Sequence, residues 1–343
     1  IEQPNRLFLK NHKLDPNGYL YTAENFNFSR YPHHIKDKND PTYSKKQFQE
    51  ILDIDGEDDH GKFIHMLDAV NNYEIDIDEI LEKYFDKENY MTWAASNILF
   101  DNFTASNENF ILYSPLNSDK WYFIPWDFDN SWNLEEEKPV WMQGISMYWN
   151  NVLHRRVFEK AENRIALNNK IEELSKIINK EQTKILLDSY YDTVLSTITT
   201  LPDIKYLPIT IDQYIEEYNH MPDITEKNKL KYFQLLDTPM PFNLNEVNTN
   251  STQNIFSWEE SYDFQNDPIT YEFELSKDKE FLNSIYIIKD LSETKYQVDH
   301  LEKGTYFWRV TAKDSNGNIQ TAFNIYTDDF GDDFYGIKKV IIE

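Results

Sequence analysis

Acidic and amide side chains recur over a short stretch in the first half of the chain, and their types suit metal chemistry. Asp101 follows an apolar helical pattern, Asn107 and Asn109 precede a short apolar run, and Asp127 and Asp129 follow a second one. Carboxylate and amide oxygens are the ligands that hard divalent cations such as Mg²⁺ prefer. The residue types therefore predict a magnesium site, provided that the fold brings these positions together.

A helix and a β-hairpin would bring them together. Residues 109–113 and 121–125 are rich in strand formers, and residues 114–120 between them carry turn residues. Upstream, the spacing of five residues predicts one face of a helix that ends near Phe100; they are Tyr90, Trp93, Ala94, Asn97 and Ile98. Because the two outer ends of an antiparallel hairpin meet, we expect the acidic and amide residues to converge there.

This order of helix, loop, hairpin and aspartate is the order in the catalytic half of protein kinases. There, a loop aspartate orients and deprotonates the attacking hydroxyl, an asparagine binds Mg²⁺, and an aspartate after the hairpin holds the metal that bridges the phosphates. On pattern alone, the alternative is that acidic residues simply end strands in a chain that has 60 Asp and Glu.

Residues 97–129 also resemble the CotH family of spore-coat kinases. The segment 121–129, with the sequence WYFIPWDFD, has the family's Pro-Trp-Asp-aromatic-Asp ending, and Asp101-Asn102 and 109–113 match its loop and first strand. Shorter similarities lie at Ile1-Glu2-Gln3, Phe8-Leu9-Lys10 and Gly18-Tyr19-Leu20-Tyr21. The resemblance covers about residues 1–235.

The resemblance implies a kinase-like fold and Mg-ATP-dependent phosphorylation of Ser or Thr on proteins, with spore-coat proteins as the founding substrates. Asp101 would be the catalytic aspartate. Asp127 would be the main Mg²⁺ ligand, with Asp129 in support. Asn109, or with less support Asn107, would be a further ligand of the metal.

Two departures from the family pattern bear on activity. The chain begins with Ile1 where the family's N-terminal lobe should be ending, so we expect a fragment that binds nucleotide weakly or not at all. The family often has Lys where this chain has Thr22, and neither Lys10 nor Lys13 can be assigned to a phosphate. The residues that would bind ATP are therefore unknown.

The second half of the chain changes its periodicity. Residues 151–236 follow a helical pattern that Pro202, Pro208 and Pro222 are predicted to interrupt. Beyond Pro239 the pattern alternates, which predicts an all-β sandwich over 240–343 after a kinase-like domain over 1–239. The expected fold class is thus α+β, with a mainly helical kinase-like lobe, a catalytic hairpin and a sandwich.

The sandwich resembles a fibronectin type III or immunoglobulin-like module. The residues that carry this resemblance are 256–259, 269–273, 301–310 and 314–318. We expect Trp258 and Tyr306 to anchor its core, and Gly304 and Gly317 to lie at turns. Modules of this kind are typical of exported bacterial proteins, which favours an extracellular location or the spore or cell surface; a cytoplasmic location in the mother cell is the alternative.

Composition restricts the partners. The formal charge of −26 disfavours nucleic acid and anionic membranes, and no apolar run is long enough to span a bilayer. The chain has no Cys, and its eight Gly form no phosphate-binding loop. We expect a basic protein as the phosphate acceptor, because it would be attracted to this acidic surface.

Two other functions stay open. The first is a pseudokinase scaffold whose sandwich binds a surface partner. The second is a glycan-processing protein, because five tryptophans lie within 29 residues, at positions 121, 126, 132, 141 and 149, near Asp127, Asp129 and Glu135-Glu136-Glu137. Packing of these tryptophans in the core is favoured over a sugar-binding platform.

Overall fold

The computed structural model describes residues 2–56, 59–129, 131–132, 138–249, 253–299 and 301–342. The chain divides into two compact units, 1–136 with 151–230 and 137–150 with 231–343. The first unit combines helices with one small sheet, and the second consists largely of strands. The predicted α+β class is confirmed.

Helices make up most of the first unit. The α-helices of the described chain are α1 (Arg6–Asn11), α2 (Lys45–Phe48), α3 (Gly61–Val70), α4 (Ile77–Tyr84), α5 (Lys87–Phe100), α6 (Val152–Phe158), α7 (Ala161–Leu174), α8 (Lys180–Ile198) and α9 (Ile211–Leu235). Short 3₁₀ helices are η1 (Phe103–Ser106), η2 (Val140–Met142), η3 (Gly144–Tyr148) and η4 (Asp203–Lys205). None of the helices in the described ranges is long and apolar enough to cross a membrane.

One proline departs from its predicted role. Pro202 and Pro208 lie between α8 and α9 as predicted, but Pro222 lies inside α9. An internal proline costs a helix about 3 kcal/mol because it removes one backbone hydrogen bond and crowds the preceding turn. Ile224 and Thr225 are buried just beyond it, so packing of the following turn offsets that cost.

The sheet of the first unit is antiparallel and has the strand order β2-β1-β3-β4. Its strands are β1 (Tyr19–Ala23), β2 (Leu52–Ile54), β3 (Phe110–Ser114) and β4 (Tyr122–Pro125). Strands β3 and β4 pair with Phe110 opposite Pro125 and Tyr113 opposite Tyr122. The predicted hairpin is therefore confirmed.

Lysine and asparagine side chains hold this hairpin in place. The ammonium group of Lys62 donates to Pro115 O at 2.8 Å and to Ser118 O, and so fixes the turn. On α5, Asn89 donates from Nδ2 to Phe123 O at 3.0 Å and accepts from Phe123 N at 2.7 Å. Helix α5 is thereby attached to the main chain of the edge strand β4.

Aromatic rings fill the space between α5, α6 and the hairpin. The ring of Phe123 lies 4.5 Å from that of Trp93, 5.3 Å from that of Tyr90 and 5.5 Å from that of Phe110. His154 on α6 is fully buried against the same rings, and Tyr90 Oη lies 2.8 Å from its Nδ1. Burial lowers the pKa of His154 from 6.5 to about 3.

The described strands of the second unit form a five-stranded, a three-stranded and a two-stranded sheet. These strands are β5 (Asn248–Thr249), β6 (Gln253–Ser257), β7 (Thr270–Ser276), β8 (Ser284–Leu291), β9 (Lys295–Asp299), β10 (Gly304–Lys313), β11 (Ile319–Thr321), β12 (Ile325–Thr327), β13 (Asp333–Tyr335) and β14 (Ile337–Ile342). One sheet has the order β11-β10-β7-β8 with β14 also on β10, a second has β5-β6-β9, and β12 pairs with β13.

Aromatic residues form the core of the second unit. Trp258 and Tyr306 are each 2% exposed and belong to one cluster with Phe273 and Trp308, so their predicted anchoring role is confirmed. Gly317 lies in a turn with φ +93°, as predicted. Gly304 instead begins β10 and pairs with Ile342, and its φ of +155° is a value that residues with side chains rarely adopt.

The lowered pKa of His154 predicts a pH dependence of stability. Between pH 6.5 and about 3 the unfolded chain binds a proton at this residue and the folded chain does not, so acidification favours unfolding. Between pH 6.5 and 4.5 we expect this group to remove about 2–3 kcal/mol from the free energy of unfolding. Denaturant titrations of wild type and His154→Gln should show a shallower pH dependence in the variant. The exposed His33→Gln is the matched control, and equal slopes for wild type and His154→Gln would contradict the assignment.

Candidate functional site

Helix α5 ends at Asp101 in a left-handed cap. Asp101 has φ 56° and ψ 39°, its N–H donates to Ile98 O, and the next N–H, of Asn102, donates to Asn97 O at 2.8 Å. Aspartate is one of the few residues with a side chain that tolerates this conformation. The cap turns the chain away from the helix axis, so Asp101 stands at the start of the loop that leads through η1 to the hairpin.

A chain of side-chain hydrogen bonds, here called the amide relay, holds this loop. Asn109 Nδ2 donates to Thr104 Oγ1 at 3.1 Å, and Thr104 Oγ1 donates to Asn102 Oδ1 at 3.0 Å. Asn102 Nδ2 in turn donates to Asn97 Oδ1 at 3.2 Å. Asn97 and Asn102 are fully buried, so the relay connects the interior of α5 to the residue that precedes β3.

The relay fixes the orientation of the Asn109 amide. The hydroxyl of Thr104 has one hydrogen, which it donates to Asn102, so it must accept from Asn109 Nδ2. No described residue donates to Asn109 Oδ1, which is the atom that a metal ion would need. The backbone of Asn109 is left-handed, with φ 57°, and its N–H donates to Ala23 O of β1 at 3.1 Å.

Asn107, the weaker candidate, is used to hold the loop. Its carbonyl accepts from Phe26 N at 2.7 Å, and its Oδ1 accepts from Asn151 Nδ2 at 3.5 Å. Asn151 also donates to Ser106 O at 2.9 Å and caps α6. The amide oxygen of Asn107 is therefore engaged with the protein, which favours Asn109 as the ligand.

Asp127 and Asp129 follow β4 at the same end of the hairpin as Asn109. Because Phe110 pairs with Pro125, the residue before β3 and the residues after β4 emerge together. Asp127 is half-buried and left-handed, with φ 50°, whereas Asp129 is exposed. Three of the predicted positions, 101, 109 and 127, thus share a conformation that is uncommon for residues with side chains, and such residues cluster at functional sites.

Aromatic contacts attach the segment after β4 to the end of α5. Trp132 N donates to Phe100 O at 2.8 Å, and the two rings lie 4.8 Å apart. Phe128, between Asp127 and Asp129, packs edge-on against Phe100, with the two ring centres 5.9 Å apart. Since Phe100 precedes Asp101, these contacts bring all three predicted segments to one place.

Four positioning residues were not predicted from the sequence: Phe100, Phe128, Thr104 and Asn102. The one signal that could have indicated them was the aromatic residue between the two aspartates.

The donor set suits Mg²⁺. Asp101, Asn109, Asp127 and Asp129 offer carboxylate and amide oxygens, the ligands of a hard cation, and contribute no sulfur or imidazole. No Lys or Arg in the described part of the chain forms an ion pair with Asp127 or Asp129. The particular role of each of these residues stays a prediction.

Further acidic residues, here called the acidic rim, lie near one another next to the Ala23–Asn109 backbone bond; they are Glu24, Asp53, Asp55 and Glu108. Desolvation raises the pKa of Glu24, and the charges of Asp53, Glu108 and Asp55 raise it further. Desolvation also raises the pKa of Glu108 and of Asp55. Thr22 donates from Oγ1 to Asp55 Oδ2 at 2.7 Å. The side of Asn109 next to β1 is thus strongly negative.

The tryptophans do not form a common platform. Trp121, Trp141 and Trp149 are at most 3% exposed, and their burial confirms core packing for these three. Trp126 and Trp132 are half-buried against Phe8 and Phe100. Residues 135–137 of the glycan hypothesis lie outside the described residues. The hypothesis loses the shared aromatic surface on which it rested.

Comparisons with known proteins bear on the first unit. A family model described as CotH kinase protein matches residues 1–231. No curated protein matches the chain significantly. The family match includes α5, the loop of the amide relay, the hairpin and the residues that follow it.

Three solved structures each resemble a part of the chain. A fibronectin type-III domain of human fibronectin type III domain containing protein 3 is 16% identical, and the match covers 30% of this chain and 85% of that one, with a TM-score of 0.22. A structure described as FN3tt mut is 21% identical, and the match covers 24% of this chain and 87% of that one, with a TM-score of 0.18. The C. elegans twitchin kinase region (Fn31-NL-kin-CRD-Ig26) is 14% identical, and the match covers 28% of this chain and 20% of that one, with a TM-score of 0.20. These scores are too low to bear on function.

The amide relay predicts that Asn102→Ala destabilises the first unit. The substitution leaves Asn97 Oδ1 and the Thr104 hydroxyl without their buried partner, which should lower the free energy of unfolding by about 1–3 kcal/mol. Chemical denaturation measures the change. Asn117→Ala, in the exposed turn of the same hairpin, is the control and should change stability by less than about 0.5 kcal/mol. Equal effects of the two substitutions would contradict a structural role for the relay.

Proposed function

We propose a phosphotransferase function, from the premise that this chain belongs to the CotH kinase protein family. Membership makes residues 1–231 kinase-like. The chain transfers the γ-phosphate of Mg-ATP to a Ser or Thr hydroxyl of a protein. The observation that carries this proposal is the meeting of the α5 end, the residue before β3 and the segment after β4 at one end of the hairpin.

The roles follow the order of the residues. Asp127 and the oriented Oδ1 of Asn109 hold Mg²⁺, with Asp129 in support, and the metal supplies neutralisation of the phosphate charge. Asp101 accepts the proton of the substrate hydroxyl and orients its oxygen. That oxygen forms a bond to the γ-phosphorus while the bond from this phosphorus to the bridging oxygen of ADP breaks. The left-handed backbone of Asp101 ends the helix at this residue, so Asp101 belongs to the loop that leads to the hairpin.

A basic protein is the substrate class that this site favours. The acidic rim lies beside Asn109, and the chain as a whole carries a net charge of −26. Lys or Arg residues near the phosphorylated hydroxyl would relieve the mutual repulsion of Glu24, Glu108, Asp53 and Asp55. Spore-coat or cell-surface proteins, the substrates that the family resemblance implies, are the proposed targets, and the spore or cell surface is the proposed location.

Loss of Asp127 should abolish phosphate transfer. The 343-residue chain, and any longer natural form of it, would be incubated with γ-labelled ATP, Mg²⁺ and basic Ser/Thr peptides. Because we expect the 343 residues alone to bind nucleotide weakly or not at all, we expect labelled peptide from the longer form, and there about 10²-fold or more loss of rate in Asp127→Ala. Asp119→Ala, an exposed aspartate at the turn end of the same hairpin, is the matched control and should keep the rate.

Thermal unfolding with and without Mg-ATP distinguishes the alternatives. A rise in Tm with Mg-ATP that Asp127→Ala removes supports the kinase proposal. Absence of both label transfer and a Tm shift in every form of the protein would sink the proposal and favour the pseudokinase scaffold. Equal transfer by wild type and Asp127→Ala would refute the assignment of the site.

The acidic rim predicts a selective change in substrate affinity. In Glu24→Gln/Glu108→Gln, KM for a Lys-rich peptide should rise roughly 3–10-fold because rim charges attract the substrate. KM for a neutral peptide and kcat for both peptides should stay within about 2-fold. The double variant Glu74→Gln/Glu79→Gln, away from the rim, is the control. Equal changes for the basic and the neutral peptide would contradict recognition of charge.

A further inference from the structure

Three aspartates of the second unit form a cluster that plays no part in the proposed transfer reaction. Asp263, Asp267 and Asp314 each offer a carboxylate oxygen, and these three oxygens lie within 4.8 Å of one another. Asp263 and Asp314 are only 5% and 4% exposed, and Asp267 is half-buried. The ion pairs found among the described residues of this unit use other carboxylates. The cluster therefore lacks a compensating protein cation within the described ranges.

Two separate loops supply the three side chains. Asp263 and Asp267 lie between β6 and β7, and Asp314 directly follows β10. Strands β7 and β10 pair with Thr270 opposite Lys313, so both loops emerge at the same end of the sheet. The two loops are in contact there, because Asn316 Nδ2 of one donates to Asp267 Oδ2 of the other at 2.6 Å.

One oxygen of each buried carboxylate shapes its own loop. Asp263 Oδ1 accepts from Gln265 N at 2.8 Å and from Asp267 N at 2.9 Å. Asp314 Oδ1 accepts from Asn316 N at 2.9 Å and from Asn318 N at 2.8 Å. These bonds fix the shape of each loop, and with the loops in this shape one oxygen of each of the three carboxylates lies within 4.8 Å of the others.

The other carboxylate oxygens differ in whether they accept a hydrogen bond. Asp314 Oδ2 accepts from Asn318 Nδ2 at 2.7 Å, and Asp267 Oδ2 accepts from Asn316 Nδ2 at 2.6 Å. Asp263 Oδ2 is buried and accepts no hydrogen bond. Burial of a carboxylate oxygen without a donor, beside two further carboxylates, is unfavourable because of both desolvation and repulsion. A bound cation would remove both costs, which is the observation that points to a ligand here.

We propose that Asp263, Asp267 and Asp314 bind a Ca²⁺ ion that joins the β6–β7 loop to the loop after β10. The donors are oxygens of irregular loops, which suit the flexible six- to eight-fold oxygen coordination of Ca²⁺. Mg²⁺ needs a stricter octahedron, and the transition metals favour imidazole or thiolate ligands, which the cluster does not contain. The site is independent of the proposed kinase reaction.

Calorimetry and thermal unfolding test the site directly. The 343-residue chain is stripped with EDTA, dialysed and titrated with Ca²⁺ from about 0.01 to 10 mM in a constant millimolar background of Mg²⁺, without ATP. We expect saturable binding of one Ca²⁺ and a rise in Tm of about 5 °C or more at saturation. Failure of the kinase proposal leaves this result unaffected, because no nucleotide is present.

Terbium provides a local probe. Tyr262 precedes Asp263, and its ring lies 5.4 Å from that of Trp149, so excitation of these aromatics should sensitise Tb³⁺ bound at the cluster. Added Ca²⁺ should displace Tb³⁺ and quench the emission. Emission that Ca²⁺ does not reduce would contradict a shared site.

Asp263→Asn separates metal binding from a merely structural role. The amide keeps an Oδ1 that can accept from Gln265 N and Asp267 N, but it removes one negative charge. Ca²⁺ affinity should fall at least about 10-fold, whereas the metal-free variant should unfold at the same or a higher Tm than wild type because repulsion decreases. Asp329→Asn, an exposed aspartate of the same unit, is the matched control and should bind Ca²⁺ as wild type does.

Several results would overturn the proposal. They are the absence of heat and of a Tm shift in wild type up to about 10 mM Ca²⁺, unchanged Ca²⁺ affinity in Asp263→Asn, and equal destabilisation of that variant with and without Ca²⁺. If Asp263→Asn fails to fold, Asp267→Asn at the half-buried position takes its place, with the same loss of affinity expected.

Discussion

Asn89 of α5 binds both the N–H and the C=O of Phe123, and so takes the place of a neighbouring strand at the edge of the hairpin. Two residues before Phe123, the chain is held on the same side, because Trp121 N donates to Tyr84 O and Asp86 N donates to Trp121 O. Helix α5 therefore runs beside β4 from its first residue. These bonds attach the start of α5 to the strand, and Trp93 farther along α5 packs against Phe123. The end of α5 lies close to the residues after β4, where Trp132 N donates to Phe100 O, and everything proposed for the site depends on that proximity.

Local pattern was enough to predict the elements that carry the site. The helical spacing from Tyr90 to Ile98 and the two strand-forming runs led to α5, β3 and β4, because each pattern reports a buried face of a single element. The burial of Trp258 and Tyr306 followed in the same way. The predicted helix break at Pro222 was wrong, because tertiary packing of the next turn outweighed the preference of proline for helix ends.

The contacts that complete the site could not be predicted in that way. The amide relay uses Asn97, Asn102, Thr104 and Asn109, which in a sequence look like ordinary helix and loop residues. Its inner members, Asn97 and Asn102, are fully buried, and that burial depends on the whole unit. The same holds for Asp263 and Asp314, which are separated by 51 positions and meet only because β7 and β10 pair. The acidic composition alone gave no reason to single them out among 60 acidic residues.

The amide relay has a direction. From Asn109 through Thr104 and Asn102 to Asn97, every donor points the same way, so the bond dipoles of the four groups add instead of cancelling. In a chain of hydrogen bonds each bond polarises the next. An amide that donates a hydrogen bond through its NH₂ group gains electron density on its carbonyl oxygen. The opposite end of Asn109 is its Oδ1. The interior of α5 thus enriches electron density on a neutral oxygen, and the site can attract a cation at Asn109 without adding a charge to a protein that is already highly acidic.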